Sequence, residues 1–241
     1  MKLSALIFSC GLLGLAASHG AATVSYVASN APDASLDANS NTVNVWTTTT
    51  SGSAGFFSGN SAGNGDGNGG GAGNPAWAMW ANGGGQSFSQ YNFESSALSV
   101  AQTVGLNFDN GYINGGSSTG IQLRSGGTVL FSLYLRGGQS FYEYLDARGS
   151  DIDTTSGFSD DGAAFSFTLN SATTYSASYG SASWTGTIAN SAVDNIRVFN
   201  NNAGSGGQFD VYFNNLTVVP EPGAAALGLV GTALLLRRRR R

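Results

Sequence analysis

From about residue 98 to 219 apolar side chains recur at every second position, and glycine-rich turns cut the pattern into short pieces. In "SVAQTVGLNF" the apolar set is Val104, Leu106 and Phe108. "TVLFSLYLR" places Val129, Phe131, Leu133 and Leu135 on one face, with Ser132 and Arg136 on the other. "AAFSFTLN" points Phe165, Phe167 and Leu169 the same way between Ser166, Thr168 and Asn170. A period of two is that of a strand buried on one face, and no segment of this region repeats at the helical period. The turns "RSGGT", "RGGQS" and "DARGSD" supply glycine where the chain reverses. The expected fold class is all-β: an antiparallel β-sandwich or jelly roll of two packed sheets. In "QFDVYFNNLTVV", Phe209, Val211 and Phe213 share a parity that Leu216 and Val218 break, so a β-bulge is expected near Asn214 and Asn215.

Both ends read as processing segments. Residues 1–22 carry Lys2, then an apolar run to about Ala17, then small residues, the order of a secretory signal peptide. Residues 23–75 form a Thr/Ser/Gly-rich N-terminal part, in which 58–73 hold eight glycines in sixteen positions and read as a flexible loop. The β-sandwich is assigned to 76–219 and a sorting or anchor segment to 220–241. There, an apolar run of 14 residues (223–236) precedes five arginines. As a helix the run would be about 21 Å long, short of the roughly 30 Å hydrocarbon core, and the arginines would stay cytoplasmic.

What the body lacks limits its chemistry. Lys2, Cys10 and His19 are the sole lysine, cysteine and histidine, and all lie in the leader. Residues 23–219 therefore hold no disulfide, no Ser-His-Asp or Cys-His triad, no Lys Schiff base and no His/Cys zinc site. The body keeps Arg124, Arg136, Arg148 and Arg197 against thirteen acids, a balance of −9, and no basic stripe that would suit nucleic acid. Asp109 and Asn110 of "FDNG", and the stretch "NGDGNGGG", have the oxygen chemistry of calcium ligands without a calcium-loop spacing. No cofactor or metal is expected. Trp77, Trp80 and Trp184 are candidate sugar-contact residues, with Tyr142 and Tyr144 as further aromatic candidates.

Two resemblances follow. "LNFDNGYI", "GIQLRSGGTVLFSLYLRGG" and "IRVFNNNAGSGGQFDVYFNNLTV" look like the concanavalin A-like lectin/glucanase jelly rolls of exported bacterial proteins, over about 76–219. Glucanases of that family set E-x-D-x-E on one strand. Glu94 in "YNFESSA" and Glu143 in "FYEYLDA" do not match it, and Asp151 and Asp153 of "DID" sit among turn residues. The expectation is no catalysis. The tail resembles the PEP-CTERM sorting signal: Pro220, Glu221 and Pro222 match its motif, 223–236 its membrane segment, and Arg237, Arg238, Arg239, Arg240 and Arg241 its basic cluster. That resemblance implies signal peptidase and an exosortase-like membrane protease as partners. It further implies export in a Gram-negative bacterium, with inner-membrane anchoring before release to the periplasm, cell surface or matrix. The functional expectation is an exported, non-catalytic surface or matrix protein that either binds extracellular polysaccharide or serves simply as structural matrix. Two alternatives stay open, a polysaccharide hydrolase of the glucanase type and a self-associating adhesin or matrix subunit.

Overall fold

The computed structural model describes residues 24–26, 46–59, 76–93, 97–159, 161–190 and 192–220. The signal peptide, most of the glycine-rich loop, Glu221, Pro222 and the tail arginines lie outside the described residues. Pro220 is the last residue of the final strand. Thirteen antiparallel strands are present among the described residues, and no described helix is long and apolar enough to cross a membrane.

In chain order the strands are β1 (Val24–Tyr26), β2 (Thr47–Gly59), β3 (Ala76–Asn92), β4 (Gln102–Asn110), β5 (Ser118–Ser125), β6 (Thr128–Arg136) and β7 (Phe141–Leu145). They continue with β8 (Ile152–Gly157), β9 (Ala163–Leu169), β10 (Thr174–Tyr179), β11 (Ala182–Thr187), β12 (Asn195–Asn201) and β13 (Val211–Pro220). Their hydrogen-bonded order is β11-β10-β9-β4-β13-β3-β12-β5-β6-β7-β8, with β2 added to β3 and β1 to β13. The path is continuous because β3 serves both halves. Its first part pairs with β13 through Trp77, Ala78 and Met79, and its last part pairs with β12 from Gln86 to Asn92. Gly83 and Gly84, at φ 55° and 87°, turn the strand between the two partners. A Cβ on the adjacent Gly85 would lie 2.2 Å from the Ser53 carbonyl oxygen of β2, so β2 and β3 can approach this closely only on glycine there.

The two halves face one another through aromatic rings. Phe131 of β6 packs on Phe165 and Phe167 of β9, with ring centroids 6.1 and 5.4 Å apart, and on Tyr175 of β10 at 5.2 Å. Tyr142 of β7 meets Tyr179 of β10 at 4.5 Å. Phe131, Phe167 and Tyr175 are completely buried, and the inward set Val104, Leu106, Phe108, Leu133 and Leu169 matches the sequence period. Val129, of the same parity, is exposed because the register between β5 and β6 shifts at Leu123 and Arg124. The expected sandwich is thus one antiparallel sheet folded over on itself.

Three details refine the sequence reading. The bulge is present: pairing with β4 shifts between Asn214 and Thr217, Asn215 takes φ 53°, and Leu216 is buried with Phe213 as a result. Phe209 is not in the last strand but in a 3-10 turn, Gly207–Phe209, ahead of it. The sheet also takes in residues N-terminal to 76, since β2 pairs with β3 along its length and Trp46 packs edge-on to Trp77 at 5.4 Å.

The free ends of the folded sheet are closed by Asp146. Its buried carboxylate accepts from the Tyr175 hydroxyl at 2.8 Å and from Arg148 Nη2 at 2.6 Å, while the Ala147 amide bonds Thr187 O of β11. A Cβ on Gly186 would stand 2.4 Å from both the Asp146 and Tyr175 oxygens, so the approach depends on that glycine. Burial alone would raise the Asp146 pKa. The Arg148 side-chain and backbone donors and Tyr175 outweigh it and hold the carboxyl below its usual range. Its stabilising contribution is complete above about pH 4 and is lost as pH falls through the lower folded value. Asp146→Ala should cost about 2–3 kcal/mol in urea unfolding at pH 7 by stranding the Tyr175 hydroxyl. The cost should shrink toward pH 2; an equal cost at both pH values would contradict the latch.

Candidate functional site

Strand alternation decides which side chains face out from the half-sheet β3-β12-β5-β6-β7. Ile196, Val198, Ile121, Leu123, Phe131 and Leu133 face the core. The opposite parity carries Gln90, Arg197, Gln122, Ser132, Phe88 and Tyr134 to the outer face. The register sets Gln90, Arg197, Gln122 and Ser132 side by side across four strands. Arg124 and Arg136 share this parity, so three of the body's four arginines belong to one sheet face.

At one edge of this face Arg136 is neutralised. Its Nη2 lies 2.6 Å from Glu143 and 2.9 Å from Asp151, and the Tyr134 hydroxyl donates to Asp151. Burial and then the Asp151 carboxylate push the Tyr134 hydroxyl pKa well up, so it remains a donor. Beyond Arg136 the sheet ends in converging loops. Tyr112, Ile113, Arg136, Gln139 and Phe158 line an open pocket of about 150 Å³. Tyr112 is 52 % exposed, its ring 5.6 Å from that of Phe158 and 6.4 Å from Phe209. The loops are tied by backbone bonds, Tyr112 N to Gln208 O at 2.8 Å, Asn114 N to Ala203 O at 2.8 Å and Gly137 N to Ser117 O at 3.0 Å. An exposed aromatic ring beside a guanidinium and an amide, on a braced backbone, suits a polar ligand with apolar C–H faces.

The candidates from the sequence fall elsewhere. Trp77 is wholly buried, wedged against Trp46 and Phe213, and offers no surface to a ligand. Trp184 is half-buried and stacked on the buried Tyr144 at 5.0 Å. Tyr142 is buried too, donating to Asn110 Oδ1 and accepting from Tyr179 at 3.1 Å. Trp80 lines a groove, of about 360 Å³, with Thr48, Thr49, Thr50 and Phe56 of β2. Tyr112 lies between strands where no period exists; its sole sequence signal is an aromatic residue inside a Gly/Asn-rich turn, "DNGYINGG".

Of the acids singled out in the sequence, Glu143 and Asp151 share Arg136, Asp153 is exposed on β8 opposite Glu143, and Glu94 lies outside the described residues. Asp109 and Asn110 end β4 with both side chains buried, Asn110 Nδ2 donating to Gly111 O. No group of three His, Cys, Asp or Glu residues able to hold a metal ion occurs among the described residues.

No family model matches this chain, and no curated protein matches it in sequence. Solved structures similar to it include galectin LEC-6 of Caenorhabditis elegans, at 12% identity and TM-score 0.39 over 54% of this chain and 88% of that one. The T. cruzi calreticulin globular domain is similar at 10% identity and TM-score 0.47 over 80% and 90%. The botulinum neurotoxin serotype D ligand binding domain, in complex with N-acetylneuraminic acid, is similar at 11% identity and TM-score 0.44, with 89% of this chain spanning 51% of that one.

Asp210 bounds the loop cluster, its carbonyl accepting from Gly111 N at 3.0 Å. Burial raises its carboxyl pKa to about 7. A raised carboxylate pKa gives stability that is complete below the unfolded value near 3.9 and lost as pH rises through about 7. Asp210→Asn should therefore raise Tm at pH 8 by a few degrees and leave it unchanged at pH 4; calorimetry at the two pH values checks it.

Proposed function

We propose that this chain is an exported, non-catalytic protein that binds extracellular polysaccharide through the outer face of β3-β12-β5-β6-β7 and the adjoining loop pocket. The observation that carries the reading is the half-exposed Tyr112 ring standing over a pocket with Arg136 and Gln139. Sugar rings present C–H faces to aromatic platforms and hydroxyls to amides and guanidinium groups, and that is the mix assembled there. The absence of His, Cys and Lys from residues 23–219, and the engagement of Glu143 and Asp151 with one arginine, support binding without turnover.

Tyr112→Ala in the full-length protein should weaken polysaccharide binding roughly tenfold in a pull-down or titration without lowering Tm. Unchanged binding, or release of reducing sugars by the wild type, would overturn the reading.

Export rests on the two ends. Signal peptidase would act at residues 1–22, and an exosortase-like membrane protease would read Pro220, Glu221 and Pro222 before the apolar run and its arginines. Replacing the three motif residues by alanine should leave the unprocessed protein in the inner membrane; normal processing would contradict the assignment.

Self-association is a second reading, favoured by β2. This strand of 13 residues carries no charge and no proline, and among the described residues only β3 pairs with it. Long uncharged edges are templates for a further strand. A second copy of β2, added antiparallel, would set Thr47, Thr48, Thr49 and Thr50 against uncharged partners. Light scattering should then show concentration-dependent assembly that Thr49→Lys abolishes. A wild type that stays monomeric to millimolar concentration, or assembly untouched by the lysine, would exclude this surface.

A further inference from the structure

The body treats its four arginines in two ways. Arg136 and Arg148 are ion-paired with carboxylates of the chain. Arg124 and Arg197 make no ion pair among the described residues, although the body carries thirteen acids for four arginines. Instead both donate to one neutral atom, the amide oxygen of Gln90. Arg124 Nη1 reaches it at 3.0 Å, Arg197 Nη2 at 2.8 Å and Arg197 Nε at 3.3 Å. An amide oxygen has two lone pairs, so three donors over-subscribe it.

The remaining surroundings do not settle these cations. Arg124 is 7 % exposed; its Nη2 donates to Gly127 O, and its Nε is buried with no hydrogen-bond partner. Asp194 acts on Arg124 through its charge, but its oxygens are engaged by the Gly126 amide at 2.9 and 3.0 Å and by Asn195 Nδ2 at 2.6 Å. Arg197 has the Phe88 ring beneath it at 5.1 Å and Arg124 beside it. Burial lowers both guanidinium pKa values, and the charge of Arg124 lowers that of Arg197 further. Two desolvated cations side by side are costly, and among the described residues no carboxylate forms an ion pair with either, Asp194 acting on Arg124 from beyond contact.

From this geometry we infer that Arg197, with Arg124 and Gln90, forms the binding site for a sugar carboxylate, so that the polysaccharide is one containing uronic acids. The inference rests on the glycan-binding reading and names the class of glycan. Arg197 holds the reachable fork: it is half-buried where Arg124 is buried, and Phe88 fixes its plane. A carboxylate accepts two parallel N–H bonds from a guanidinium and brings the charge that Gln90 lacks. It would take over the Arg197 donors from Gln90 and leave the Gln90 oxygen to Arg124. The −9 balance of the body repels polyanions in general, so attraction to one must come from a local site such as this.

The test uses the full-length protein with polygalacturonate, dextran sulfate and neutral dextran as probes, by titration calorimetry at physiological ionic strength. Polygalacturonate should bind at least tenfold more tightly than dextran. Gln90→Glu builds the missing carboxylate into the chain, so it should keep or raise Tm while weakening polygalacturonate at least tenfold. Arg197→Gln should weaken it as much and leave dextran unchanged. Equal affinity for polygalacturonate and dextran, or full affinity in Gln90→Glu, overturns the carboxylate site and leaves the glycan-binding reading standing. Tighter binding of dextran sulfate than of polygalacturonate overturns the uronic-acid assignment in favour of a sulfate ester. Binding of none of the three overturns both inferences.

Discussion

One strand belongs to both halves of the sheet, and the rest of the molecule follows from that. β3 pairs with β13 at its start and with β12 at its end, turning at Gly83, Gly84 and Gly85. Because β12 and β13 lie along the same bent strand, the strands beyond them are carried over one another. Phe131 then lands on Phe165, Phe167 and Tyr175. The same bend fixes which parity of β12, β5 and β6 is left outside, and hence that Arg197, Gln122 and Tyr134 share a face with Gln90 and Phe88.

A body without cysteine must hold this arrangement by packing and polar closure. Packing is supplied by rings, many of them tyrosines whose hydroxyls need partners when buried. Tyr175 finds Asp146; Tyr179 finds Phe108 O and Tyr142. Polar closure at Asp146 also uses Arg148, which removes one arginine from any role on the outer face. Arg136 is spent on Glu143 and Asp151, where it braces the rim of the loop pocket. Of the four arginines, Arg124 and Arg197 are left with no carboxylate ion pair among the described residues.

The strands were legible because a period of two survives in "TVLFSLYLR" and "AAFSFTLN" whatever the tertiary arrangement. The bulge was legible because Leu216 and Val218 break parity with Phe213. The direction of each face was not, since alternation says that two faces differ but not which one meets the core. That is why Trp77 and Trp184, good sugar platforms by residue type, pack inside or half inside. Long-range register was likewise invisible: Gln90, Arg124 and Arg197 stand 34 and 73 residues apart in sequence and meet only through the pairing of β3, β12 and β5. Tyr112 escaped because turns have no period. The ends remain legible only as sequence, lying outside the described residues.

Hydrogen exchange of the full-length protein with and without saturating polygalacturonate tests the central claim most directly, because it reads which face the polymer covers. The account predicts added protection in β12, β5, β6 and the 111–117 and 137–140 loops, with β9, β10 and β11 unchanged. Protection centred on β9 to β11, or no change anywhere at saturation, would contradict it.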